Sequence, residues 1–226
     1  MKMSMVTELP QLEVFEIARR ERYDSPYAPA SLVGTFVKHP KCPECGSLRW
    51  DRKDPMVIEW EAGATFVADF TWVGGGGDVV VTQRVRDCIE GKLSGVRFGP
   101  VTFWQNPKLH RPKRPNSVTV PRIWLPYEGP TLWALRVTSK CHLVREASGR
   151  RLLRTCRTCG REFFDVLPNS KVVIARDSWD GSDFFTIREV GNWVFVTGAA
   201  RALIEEQGFT NVQVGIRGCI VNGCAM

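Results

Sequence analysis

Four cysteines stand in two frames of the same spacing, Cys42-Pro-Glu-Cys45-Gly and Cys156-Arg-Thr-Cys159-Gly. Two residues between thiols let both sulfurs of a tight turn close on one cation, and the following glycine lets the backbone turn back. Two such knuckles supply four thiolates, the ligand set of a tetrahedral zinc site. Four sulfurs leave no open position for water or substrate. The expectation is therefore one structural zinc per chain, held by Cys42, Cys45, Cys156 and Cys159. Four reduced thiols without metal, or a disulfide within each pair, are the alternatives. A thioredoxin-like redox pair must open a helix, and Gly46, Gly160 and Pro43 oppose that helix.

No other pattern in the chain forms a catalytic signature. There is no Walker A loop, no dinucleotide-binding glycine fingerprint after a strand, no His-Glu-x-x-His and no Gly-x-Ser-x-Gly. His39, His110 and His142 lack the His-x-Glu of a zinc deaminase. The glycine run of Val73-Gly-Gly-Gly-Gly-Asp78 precedes a strand rather than a helix, so it reads as a hairpin turn. Asp177 and Asp180 sit among turn formers. Cys88 falls on the apolar face of a helix, Cys141 in a strand beside His142, and Cys219 and Cys224 in a tail expected to be flexible, so none is named as a site. The expectation is a protein that is not an enzyme.

The elements that must bring the knuckles together come from a repeat. Cys42 and Cys45 recur as Cys156 and Cys159, and Asp69-Phe70 recurs as Asp183-Phe184, all at an offset of 114. The register continues through 77–98 and 191–214 with one-residue slips, Thr82 matching Thr197 and Val96 matching Val212. Upstream, residues 10–17 align with 130–137 at an offset of 120. Each half reads as an opening strand, a knuckle, further strands, a short helix capped by Thr82 or Thr197 and closed by Gly91 or Gly208, and a final strand. The fold class expected is α+β, internally duplicated: two pseudo-symmetric β-rich halves, each with one short helix, joined by zinc-ribbon-like CxxCG knuckles. The halves are 1–115 and 116–226, forming one compact unit, and the seven prolines and two tryptophans of 100–130 make an ordered, extended connection. If the halves face each other, one zinc staples them together despite the long gap between knuckles.

Composition sets the outer limits. With 43% hydrophobic and 24% charged residues the chain is an ordinary globular one. It has neither an export signal nor a run of eighteen apolar residues, so the expected location is the cytoplasm with no membrane contact. A net charge of +7 permits nucleic acid or an acidic protein as partner. Its densest cluster, KLHRPKRP at 108–115, reads as a loop.

Two CxxCG motifs about 110 residues apart, followed by the C-terminal SDFFTIREVGNWVFVTGAARALIEEQGFTNVQV, resemble the double-CXXCG motif immunity family of myxobacterial swarming-inhibition toxin systems. The resemblance spans almost the whole chain. It implies a non-catalytic protein that binds and neutralises a cognate toxin in the cytoplasm by stoichiometric complex formation, and it carries over only Cys42, Cys45, Cys156 and Cys159. Immunity proteins that block nucleases are often acidic, whereas this chain is basic, which favours an acidic toxin surface over mimicry of phosphate. A zinc-ribbon nucleic-acid-binding or regulatory protein is the second reading. A monomer is expected, because an internal pseudo-dimer already satisfies the interface a homodimer would use.

Overall fold

The computed structural model describes residues 12–20, 27–34, 36–60, 66–73, 77–104, 127, 129–166, 171–191 and 193–221. The basic cluster 108–115, Trp124 and Cys224 lie outside them. In chain order the elements are β1 (Leu12–Ala18), β2 (Ala30–Leu32), β3 (Phe36–Lys38), β4 (Trp50–Arg52), β5 (Met56–Trp60), β6 (Phe70–Trp72), β7 (Val79–Thr82), α1 (Gln83–Ile89) and β8 (Val96–Phe103). They continue as β9 (Leu132–Val137), β10 (Ser139–Cys141), β11 (Arg150–Thr155), β12 (Glu162–Val166), β13 (Val172–Ala175), β14 (Phe184–Ile187), β15 (Val194–Val196), α2 (Gly198–Gln207) and β16 (Gln213–Val221). The protein is β-rich, with two α-helices among the described residues, neither long and apolar enough to cross a membrane.

The strands form two six-stranded sheets of matching order, β10-β14-β15-β1-β16-β13 and β2-β5-β8-β9-β7-β6. Each sheet rolls up until its edges meet, through a bridge between Leu143 and Ile174 in one and between Ala30 and Val73 in the other. Closure removes the unpaired edges that would invite aggregation. Two antiparallel ribbons, β3–β4 and β11–β12, stand outside these sheets.

One strand in each sheet comes from across the 115/116 boundary. β1 lies between β15 and β16 of the second half, while β9 lies between β7 and β8 of the first. The opening strands are therefore exchanged. Their pairing register differs by two residues from the sequence alignment of 10–17 with 130–137 at an offset of 120. Ile17 pairs with Val214 and Leu135 pairs with Phe98, so the two opening strands sit in like pairings at an offset of 118. A slip of two leaves every side chain on its original face, which is why the apolar pattern allows either alignment.

Alternation along the central strands fills three cores. Val80 of β7 and Ala134 of β9 join Met56, Ile58 and Trp60 inside one rolled sheet. Phe195 of β15 and Val14 of β1 join Ile174, Phe185 and Ile220 inside the other. Their neighbours Val79, Val81, Val194, Val196, Phe15 and Leu135 face a third core between the sheets, completed by Val85 and Ile89 of α1 and Ala200 and Ile204 of α2. Strands buried on both faces read as continuous apolar runs, as VVV and VFV do.

The recurring Asp-Phe pair has a structural purpose. Asp69 accepts hydrogen bonds from the Thr82 hydroxyl at 3.0 Å, from Arg84 at 2.8 Å, and from the backbone N–H and hydroxyl of Thr210 at 3.0 and 3.1 Å. Asp183 accepts from the Thr197 hydroxyl at 2.8 Å and from the backbone N–H and hydroxyl of Ser94 at 3.0 and 2.9 Å. Each aspartate thus grips the loop after the other half's helix. That loop needs a left-handed residue in both places, Gly95 at φ +79° and Asn211 at φ 59°.

Several local expectations change. Thr197 caps α2 by accepting from the Ala200 N–H at 3.4 Å, but Thr82 makes no side-chain cap and spends its hydroxyl proton on Asp69. Gly208 ends α2 in the left-handed region, whereas α1 is capped at Glu90, with Gly91 one residue beyond. Cys219 belongs to β16, where it pairs with Glu13 and Val173 rather than to a flexible tail. β6 and β7 pair antiparallel and the Val73 N–H donates to the Asp78 carbonyl at 3.0 Å, while the glycines 74–76 between them lie outside the described residues.

Candidate metal centre

Each knuckle is the tip of a ribbon. At the end of β3–β4 the Cys42 N–H donates to Ser47 O and the Gly46 N–H to Cys42 O, both at 2.9 Å. At the end of β11–β12 the Cys156 N–H donates to Arg161 O at 2.8 Å and the Gly160 N–H to Cys156 O at 2.9 Å. Gly46 and Gly160 have φ of 68° and 69°. This left-handed conformation is the one glycine adopts without steric cost. The two turns are therefore alike in hydrogen bonding and backbone.

The ribbon tips meet. Cys42 Sγ lies 3.6 Å from Cys156 Sγ, and Cys45 Sγ lies 3.6 Å from Cys159 Sγ. All four sulfurs fall within 4.8 Å of one another, and no disulfide joins them. A tetrahedral ion with metal–sulfur bonds of about 2.3 Å needs sulfurs about 3.8 Å apart. The two cross-ribbon pairs already meet that spacing, and no pair of sulfurs in the cluster is more than 4.8 Å apart. These four cysteines can hold a metal ion, and among the described residues they are the one such group of His, Cys, Asp and Glu. Cys42 and Cys156 are 9% and 1% exposed, Cys45 is half-buried and Cys159 is exposed.

The thiols do not ionise alike. The Ser47 hydroxyl and then its backbone hold the Cys45 thiol down to about 6. At Cys156 the Cys159 backbone N–H lowers the pKa, but burial and the neighbouring Cys159 and Cys42 thiols outweigh it and push the group up to about 12. Cys159 is also raised, against the lowering effect of the Arg161 backbone, by burial and by Cys45 and Cys42. One thiolate forms readily and its neighbours then resist, as like charges in one site must. A divalent cation among them removes that conflict.

Sequence reasoning missed a second tie between the knuckles. Glu44 accepts from the Thr158 hydroxyl at 2.8 Å and from the backbone N–H groups of Thr158 and Arg157 at 3.0 and 3.3 Å. Its carboxyl is held below the usual range by the Thr158 hydroxyl first and the Arg157 N–H next. Thr158 occupies the position in its own knuckle that Glu44 occupies in the first, so a lone acid in only one CxxCG frame is the available signal. Glu44→Ala is expected to leave metal stoichiometry unchanged and to speed metal loss to a chelator. An unchanged rate, followed with a chromogenic indicator, would show that the contact carries nothing.

The remaining candidates stay apart from this centre. Cys88 packs at the rim of the central core, 3.5 Å from Gln207 Oε1. Cys141 is fully buried, and burial pushes its thiol up to about 12. Asp180 accepts from the Ser139 hydroxyl and the Ser182 N–H at 2.8 and 3.0 Å, within the turn that follows a short 3-10 helix, Arg176–Ser178. His39 is bound to Asp51 at 2.7 Å and His142 to Glu189 at 3.2 Å.

No protein-family model matches the chain, and a comparison with curated proteins found no match.

Proposed function

We propose that this chain is a cytoplasmic, non-catalytic immunity protein that neutralises a cognate bacterial toxin by stoichiometric binding, with one structural zinc holding its two halves in place. The observation that carries the structural part is the meeting of both CxxCG tips in one four-sulfur cluster. Thiolate sulfur is the donor that zinc favours, and four sulfurs close its coordination shell, so the metal supports a binding surface rather than a reaction. The resemblance of the two CxxCG frames and the C-terminal segment to the double-CXXCG immunity family supports the choice of partner.

The same reading takes the chain as an internal duplication working as a monomer. Matching strand order, equal knuckle geometry and the reciprocal grip of Asp69 on Thr210 and Asp183 on Ser94 support it. The deciding experiment is co-expression with the neighbouring toxin gene. Growth should be rescued, and the two proteins should co-purify at one to one. Continued lethality without co-purification would sink the immunity reading.

A further inference from the structure

The β11–β12 ribbon has properties that the metal centre does not require. From Arg151 to Thr155 every residue of β11 is exposed, so the strand presents both of its faces to solvent. The ladder skips one residue between Leu152, opposite Phe164, and Arg154, opposite Phe163. Leu153 is that bulged residue, and at 59% it is among the most exposed large apolar side chains described. A bulge re-aims a side chain out of the regular pleat. Leu152, 40% exposed, precedes it.

Charge surrounds this knob. Residues 145–166 hold six arginines and no lysine against three carboxylates, a formal +3 within a chain of +7. Arg145 and Arg151 pair with Glu162 and Asp165. The guanidinium groups of Arg154, Arg157 and Arg161 have no carboxylate partner among the described residues, and all three residues are exposed. A zinc tetrathiolate would place a formal −2 at the tip, so the positive surface is the shaft of the ribbon. The guanidinium groups are also held in place, Arg154 at 4.5 Å and Arg161 at 5.7 Å from the Phe163 ring and Arg145 at 5.3 Å from that of Phe164. Ordering them beforehand lowers the entropy lost on binding.

We infer that this ribbon is the docking finger of the protein, with Leu153 as its apolar anchor and Arg154 and its neighbours as its charge contacts, and that its partner is an acidic protein face with an apolar socket. The inference rests on the reading above that the chain acts by binding a protein. Arginine with apolar anchors and without lysine is the composition of a protein interface. Single-stranded nucleic acid needs open aromatic faces for stacking, and here arginines lie over Phe163 and Phe164.

The test titrates the full-length, metal-loaded protein against the product of the neighbouring toxin gene, comparing wild type with Leu153→Ser, Arg154→Glu and Arg188→Glu. Arg188 is an exposed arginine outside the β11–β12 ribbon, in the turn after β14. The first two variants should bind at least tenfold more weakly, with unchanged metal content and melting temperature, and the third within about twofold of wild type. Wild-type binding that neither ribbon variant weakens overturns the ribbon assignment and leaves the immunity reading standing. No binding by wild type overturns the immunity reading itself. Fluorescence anisotropy with mixed DNA and RNA closes the remaining route. Salt-dependent binding lost in Arg154→Glu but kept in Leu153→Ser would reassign the ribbon to nucleic acid and overturn the proposal.

Discussion

Replacing Cys42 or Cys156 with serine is expected to abolish stoichiometric metal binding and to destabilise the protein by on the order of 5 kcal/mol, a drop in melting temperature of about 10–20 °C. The wild-type protein should carry one zinc by elemental analysis. The two substitutions should act to a similar degree, because each removes one of a pair of sulfurs 3.6 Å apart in a single cluster. Both sites are buried, so the serine hydroxyl left behind adds a desolvation cost to the lost ligand. Zinc binding that survives either change would refute the shared site. Two zincs per chain would mean that each knuckle builds its own centre from other ligands, which the meeting of the tips opposes.

Asp69→Ala is expected to cost about 3 kcal/mol by urea denaturation, and Asp183→Ala about 2 kcal/mol. The Asp69 side chain is 12% exposed and takes four hydrogen bonds, two of them from Thr210 of the other half. Removing it strands a backbone N–H and two hydroxyls beside a core that includes Phe70 and Phe209. Asp183 takes three bonds, so its loss should be smaller. Neither change touches the cysteines, and metal content should stay at wild-type level. An unfolding midpoint that does not move for Asp69→Ala would show that the helix-following loops dock through apolar packing alone.

Much of the candidate site is legible in the chain's local chemistry. Cysteine spacing and the glycine after each pair specify a turn, and a turn's geometry is local, so the backbone turns back at Gly46 and Gly160, both in the left-handed conformation. The Thr-helix-Gly boundary of α2 is legible for the same reason, whereas α1 starts after Thr82 without its cap bond and is capped one residue before Gly91. The recurrence at 114 puts both knuckles in equivalent positions, which makes one shared cluster the economical arrangement. By contrast, the Asp-Phe recurrence is visible only as a landmark, because its partners Ser94 and Thr210 lie 89 and 141 residues away in sequence.

What the sequence by itself determined is therefore local and periodic: the knuckles, the apolar runs of β7 and β15, the two short amphipathic helices, and the recurrence of these landmarks along the chain. Only the tertiary structure decided which half's opening strand completes which sheet. β1 and β9 offer similar apolar faces and the same register parity, so either could fill either gap, and the choice depends on connection path and on packing in the shared core. It also decided that β11 stands clear of both sheets with Leu153 bulged outward, since alternation alone cannot tell a face that meets a core from a face that meets water.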